Sequence, residues 1–268
     1  MLQDFTIGQY VPGHSFVHRL DPRSKLLFLV LFAFAVFLAN SFSAYLFLLL
    51  IIVGAILLSR ISFSYIIKGL KPIWFLLLFT VVIHLFLTKG GEVYARWGWF
   101  SIEEEGVRQA IFISFRLGLL VVISSLLTLT TAPMDLTDGL EKLLGPFKKL
   151  KLPVHEIALM MSIALRFIPT LLEETDKIIK AQQSRGADFG SGPLLKRAKK
   201  MLPIVIPLFI SSFRRAEDLA LAMEARGYRG GAGRTRLRQL RFSAKDSLVL
   251  VVACAVIALL GWWRVSNG

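Results

Sequence analysis

Apolar residues along this chain gather in five runs separated by polar and basic stretches: residues 26–39, 44–59, 72–88, 109–131 and 246–263. A hydrocarbon core about 30 Å thick is crossed by roughly 17–25 predominantly apolar helical residues. The first two runs are each short and together too long for one crossing. With Asn40-Ser41-Phe42-Ser43 between them, they predict a tight helical hairpin. The third opens with Pro72 at a helix start, where the missing N–H costs nothing. The fourth is the longest and carries Arg116, and the fifth ends on Trp262-Trp263, an aromatic pair suited to a membrane–water interface.

Residues 132–245 read differently. Segment 153–185 sets Ile157, Met160, Met161, Ala164, Leu165, Ile168, Leu171, Leu172 and Ile178 at spacings of three and four, with six at the end, which is a helical period. Segment 192–226 has an apolar middle, 201–213, interrupted by Pro203 and Pro207. Neither has an uninterrupted apolar stretch of spanning length, because Arg166 and Pro169 break the first and the second is short. Both are expected as long amphipathic helices along the inner membrane face or bracing other helices, with a re-entrant hairpin as the alternative. The Gly/Arg-rich 227–241 reads as a flexible return to the last run. The fold class is therefore an all-α polytopic membrane protein of about five transmembrane helices plus long intracellular amphipathic helices. Its expected divisions are a four-span membrane domain (1–131), cytoplasmic-side helices (132–245), and a last span with the C-terminus (246–268).

Composition agrees with this pattern. Of the 268 residues, 55% are hydrophobic, above the 45–50% usual for soluble domains. The net charge of +14 would suit a nucleic-acid binder, but no basic stretch carries a nucleic-acid module. In a membrane protein the excess marks the cytoplasmic side. With the N-terminus inside, 17 basic residues flank the inner ends of the runs and four the outer ends. The N-terminus is thus expected inside and, after five spans, the C-terminus outside. Cys254 is the single cysteine, so neither a disulfide framework nor a cysteine metal cluster is available. No cofactor is expected. Residues 1–20 lack an apolar core, so a signal peptide is not expected. There is no Gly-x-x-x-x-Gly-Lys-Ser/Thr phosphate loop, no His-Glu-x-x-His and no Gly-x-Ser-x-Gly, so ATP binding of that kind and enzymatic catalysis are not expected of this chain.

An internal echo points to function. Ala181-Gln182-Gln183-Ser184-Arg185-Gly186-Ala187-Asp188-Phe189-Gly190-Ser191-Gly192 lines up, 41 residues on, with Ala222-Met223-Glu224-Ala225-Arg226-Gly227-Tyr228-Arg229-Gly230-Gly231-Ala232-Gly233. Glycine just past a helix end adopts the left-handed cap conformation, and arginine in a last turn complements the helix dipole. A cap alone explains one such ending. Two endings of small residue, arginine, glycine on adjacent helices suggest more: a planar guanidinium between small neighbours can enter an acidic groove and grip a carboxylate bidentately.

These paired endings resemble the two arginine motifs of the transmembrane T components of energy-coupling factor (ECF) importers. So do Gln9-Tyr10-Val11-Pro12-Gly13-His14-Ser15, His18-Arg19-Leu20-Asp21-Pro22-Arg23-Ser24-Lys25, Leu129-Thr130-Thr131-Ala132-Pro133 and Leu165-Arg166-Phe167-Ile168-Pro169. The likeness covers about residues 5–245, and no motif position departs from it. It implies a scaffold in a bacterial-type plasma membrane that carries motion from two cytoplasmic ATPase subunits to a separate membrane subunit binding a vitamin or transition-metal ion. Carried over by position, Arg185 and Arg226 would each enter a groove on one ATPase. Ser184, Gly186, Ala225 and Gly227 would let the helix ends approach closely. Met160, Met161, Arg166 and Pro169 would belong to the coupling-helix and partner surface.

Other residues keep two readings. Asp21-Pro22 suits an N-cap and first helical position, with Arg23 and Lys25 fixing topology. Arg116 needs a structural partner or has a transport role. Arg166 either orients helix packing or meets lipid phosphate, and Met160-Met161 either pack or form an adaptable partner surface. A self-sufficient secondary transporter or channel is the rival class. It needs polar groups near mid-membrane and discontinuous helices in matching halves, for which Arg116 and His84 are the only candidates.

Overall fold

The computed structural model describes residues 10–97, 100–150, 153–187, 193–230 and 240–267. The chain forms two compact units, Gly8–Lys142 with Leu240–Gly268, and Met1–Ile7 with Leu143–Gln239.

The larger unit contains α1 (Pro22–Leu38), α2 (Phe42–Ser59), α3 (Phe63–Leu70), α4 (Trp74–Leu87), strands β1 (Val93–Trp97) and β2 (Phe100–Glu103), α5 (Glu104–Thr130), α6 (Pro133–Leu143) and, from the far end of the sequence, α9 (Ala244–Asn267). Asp21 caps α1, its side chain accepting from the Arg23 N–H with Pro22 in the first turn, as the sequence predicts. Ser41 caps α2 in the same way, accepting from Ala44 N–H. The long helix α5 is the hub, with α1, α2, α3 and α4 all packed against it, while α9 lies along α1. Phe32, Ala35 and Val36 of α1, Tyr45, Leu48 and Ile52 of α2, Leu119, Ile123, Leu126 and Leu129 of α5, and Val256 and Leu260 of α9 form the core.

The outward faces are apolar as well. Phe34, Leu57, Trp74, Phe75 and Leu87 are all more than 60% exposed, and α4 has no buried residue. Faces of this kind belong in hydrocarbon. Among the described residues five segments are long and apolar enough to cross a membrane: α2, the run through α3 and α4, α5, residues 154–184, and α9. Helix α1, with 17 residues, rises about 25 Å.

Two features differ from the sequence expectation. The third apolar helix does not begin at Pro72; it continues from Phe63 through a 3₁₀ turn, Lys71–Ile73, that accommodates the proline. Lys68 therefore sits in the last turn of α3. The segment between α4 and α5 is an antiparallel hairpin in which Val93 faces Glu103 and Trp97 faces Phe100, with a bulge between Val93 and Ala95. Its alternation is too short to register beside the long apolar runs.

The smaller unit is built on α7 (Val154–Ser184) and α8 (Leu194–Ala225), preceded by a 3₁₀ turn, Gly145–Leu150. Both helices match their predicted segments, although residues 188–192 of the first ending, 231–233 of its echo and much of the 227–241 return lie outside the described residues. Pro169 stays inside α7, and Pro203 and Pro207 inside α8.

Candidate functional site: two arginine-tipped helices

The echo in sequence is an identity in geometry. At the end of α7, Gly186 takes φ +84°, its N–H donates to the Gln183 carbonyl at 2.9 Å, and Ala187 N–H donates to Gln182 at 3.0 Å. At the end of α8, Gly227 takes φ +71°, its N–H donates to Glu224 at 2.8 Å, and Tyr228 N–H donates to Met223 at 3.0 Å. Both are complete Schellman caps, with the two crossed bonds that satisfy the last carbonyls. Each puts its arginine at the cap position with nearly the same backbone, φ −87° and ψ 9° for Arg185, φ −87° and ψ 7° for Arg226.

Ser184, Arg185 and Gly186 are exposed, as are Ala225, Arg226 and Gly227. The Ser184 hydroxyl is satisfied within its own helix, donating to the Lys180 carbonyl at 3.0 Å. A side chain built on Gly186 or Gly227 would meet nothing within 4 Å. The glycines are thus required by their left-handed backbone and not by crowding inside the chain. Among the described residues neither arginine has an ion pair.

Helices α7 and α8 pass in opposite directions. Arg215 of α8 donates to Glu174 of α7 at 2.9 Å. Further along, the end of α8 (Leu219, Met223, Arg226 to Gly230) faces Leu159, Ser162, Ile163 and Arg166 of α7 across a cavity of about 650 Å³. The Arg226 tip therefore lies beside the first half of α7, while Arg185 is some twenty residues further on, about 30 Å along the helix. Arg166 shares the cavity face with Leu159, Ser162 and Ile163, which the helical period places together. Met160 and Met161, 61% and 39% exposed, point elsewhere by the same period, and Pro169 is exposed. Tyr228 and Arg229 also line this cavity. The sequence places both in the echo without giving either a site role, although they are where the second ending departs from the Ala187-Asp188 of the first.

The remaining motif blocks meet in the larger unit. Lys25, read as a topology signal, is buried. Its ammonium donates to the Thr130 carbonyl and to Thr131 Oγ1, both at 3.0 Å, at the C-terminal end of α5, where a cation complements the helix dipole. Asp246 is 1% exposed. One of its oxygens accepts from Asp21 N–H at 2.8 Å and Ser24 Oγ at 2.7 Å, and the other from Ser243 N–H at 2.8 Å. One carboxylate thus joins the starts of α1 and α9. The 11–18 segment closes over this end: Val11 N–H donates to the Leu129 carbonyl at 3.0 Å. His18 bonds Ser15 Oγ at 2.6 Å and the Val11 carbonyl at 3.0 Å. Gly13 leaves room for the His18 ring, which a Cβ there would approach to 2.9 Å. Burial above all holds the His18 imidazole below its ordinary value of 6.5, with the Val11 carbonyl opposing.

Arg116 has a structural partner. Its Nη2 donates to the buried Tyr45 hydroxyl at 3.1 Å, and its guanidinium lies 5.3 Å from the Phe37 ring centroid. His84 bonds Thr88 one turn on.

Together these observations define a multi-pass helical membrane protein whose second unit carries two geometrically matched cationic helix ends. Known proteins agree and name the class more closely. Residues 13–237 match the model of the cobalt transport protein family, CbiQ. The energy-coupling factor transporter transmembrane protein EcfT of Brevibacillus brevis is 67% identical, over 98% of this chain and 100% of the relative. The proteins of the same description from Bacillus subtilis and Clostridium kluyveri are 54% and 52% identical, each over 98% of this chain and at least 99% of the relative. The chain belongs to the family of transmembrane T components of energy-coupling factor transporters. That membership displaces the rival reading as a self-sufficient secondary transporter or channel.

Proposed function

We propose that this chain is the scaffold through which two cytoplasmic ATPase subunits drive a separate substrate-binding membrane subunit in the import of a vitamin or transition-metal ion. The observation that carries this reading is the pair of Schellman-capped ends presenting Arg185 and Arg226. The cap fixes the backbone at each helix end, and the exposed guanidinium it carries can grip a partner carboxylate bidentately. The separation of the tips, about 30 Å along α7, favours two docking partners over one. The exposed face of α8, with Leu202, Ile206, Phe209 and Phe213, together with Met160 and Met161 on α7, supplies apolar surface for a membrane-embedded partner.

The same reading orients the chain with its N-terminus in the cytoplasm of a bacterial cell, in the plasma membrane. Asp246 ties the start of α9 to the start of α1, and Lys25 ties the start of α1 to the end of α5. The segment between α5 and α9 therefore returns to the membrane face it left, and α7 and α8 contribute either no crossings or two. Their arginines and prolines favour none, which leaves α1, α2, α3–α4, α5 and α9 as the spans.

The test is purification of the tagged chain from its native membranes with identification of what accompanies it. Two ATPase subunits and a small hydrophobic protein are expected. A chain that purifies alone and moves a solute in vesicles without ATP contradicts the proposal.

A further inference from the structure

The larger unit contains a cavity of about 350 Å³ whose walls are almost wholly apolar. Phe28 and Leu29 of α1 and residues from the 51–58 stretch of α2, the 123–127 stretch of α5 and the 248–252 stretch of α9 line it, leaving it open on one side, and Phe16 and Leu20 lie at one end. Every contributing helix gives the half nearest the end where Lys25, Thr130 and Asp246 meet. From Ile51 to Leu58, or from Ile123 to Thr130, the lining extends about 10 Å along the helix axis. One leaflet of the hydrocarbon core is about 15 Å deep. The cavity thus lies within a single leaflet. Helix α2 leaves it roomy: a side chain on Gly54, which lines it, would meet nothing within 4 Å.

The end at the membrane surface is basic. Lys245 is exposed and holds its ammonium 5.8 Å from the centroid of the Phe16 ring on the cavity's rim. Arg19, three residues from Phe16, is exposed as well. Three acids lie beside this end: Asp246 accepts three hydrogen bonds, Asp21 caps α1 and pairs with Arg23, and Asp135 lies close enough to act on the buried Lys25 ammonium. An apolar slot one leaflet deep with exposed cations at its head has the layout of a phospholipid, with its tail among the helices and its phosphate outside. We propose that this cavity seats an acyl chain of an anionic phospholipid, whose headgroup is held by Lys245 and Arg19. On the orientation proposed above, the lipid comes from the inner leaflet. The bound chain fills the gap between α2 and α9 that no side chain occupies, and so holds the bundle in one packing.

The test uses the assembled transporter in phosphatidylcholine nanodiscs doped with phosphatidylglycerol carrying a photoreactive diazirine in its tail. The probe enters both leaflets, so the outcome is independent of orientation and of ATPase docking. Cross-links are mapped by mass spectrometry. They are expected to concentrate on the lining residues Ile51, Ala55, Leu58, Leu248, Val249 and Val252, to disappear with Gly54→Phe, and to persist with Gly54→Ala, which adds one methyl to open space. Lys245→Glu should reduce them about fivefold for phosphatidylglycerol and leave a phosphatidylcholine probe unchanged. Labelling spread evenly over the outward Phe34, Leu50 and Val251 and indifferent to Gly54→Phe would overturn the site. Equal cavity labelling by both lipids in the unsubstituted protein would overturn the headgroup assignment.

Discussion

At the two arginine tips, backbone and side chain have separable jobs. Gly186 and Gly227 hold left-handed φ values with open space around them, so replacement acts through the cap alone. A β-branched residue there should cost about 1–2 kcal/mol of local helix-end stability. Gly186→Val or Gly227→Val is therefore expected to weaken ATPase co-purification while membrane insertion is unchanged, and asparagine, which tolerates this conformation, should retain most of it. Asp246 is a different case, because its carboxylate accepts three hydrogen bonds in a buried site. Asp246→Ala should lower the thermal midpoint of the purified chain by several degrees, on the scale of about 1.5–3 kcal/mol for a charged hydrogen bond. His18 supplies the pH dependence. With its folded pKa below 6.5, the unfolded chain binds the proton first on acidification. Its contribution to stability is complete above pH 6.5 and is lost as pH falls below it. Melting curves of the parent and of His18→Gln should converge in slope above that value and diverge below it.

At the scale of elements, α7 and α8 are joined through Glu174 and Arg215, whose side chains are 23% and 39% exposed. A pair so open to solvent contributes at most about 1 kcal/mol. Its expected role is register: Arg215→Glu should loosen α8, seen as faster amide exchange around residues 211–219, and the double exchange with Glu174→Arg should restore protection. Helix α7 was legible from its apolar period over residues 157–178 and α8 from its apolar middle at 201–213, with a glycine cap marking the end of each. The break at Pro72 was misread, because proline is as acceptable inside a 3₁₀ turn that continues a helix as at a helix start. The hairpin at 93–103 was missed because four or five residues of alternation carry little signal beside apolar runs of seventeen or more. Among single residues, the two motif arginines stand out by repetition. The partnership of Asp246 with Asp21 and Ser24 spans more than two hundred positions, and nothing in local pattern encodes it.

At the scale of the molecule, the motif blocks divide by task. Those at 9–25 and 129–133 meet at one end of the membrane bundle, where Lys25, Asp246 and His18 tie α1, α5 and α9 together. The arginine endings belong to the other unit, where nothing within the chain engages their guanidiniums among the described residues. The first set joins helices of the bundle, and on the proposed function the second is left for partners. This division rests the central claim on Arg185 and Arg226. It is tested most directly by the subunit composition of complexes purified from cells carrying Arg185→Glu, Arg226→Glu, or both. The account predicts that each single variant loses one ATPase subunit, and that the double variant loses both while keeping its place in the membrane and its thermal midpoint. A double variant that still brings down both ATPases in normal amounts would contradict it.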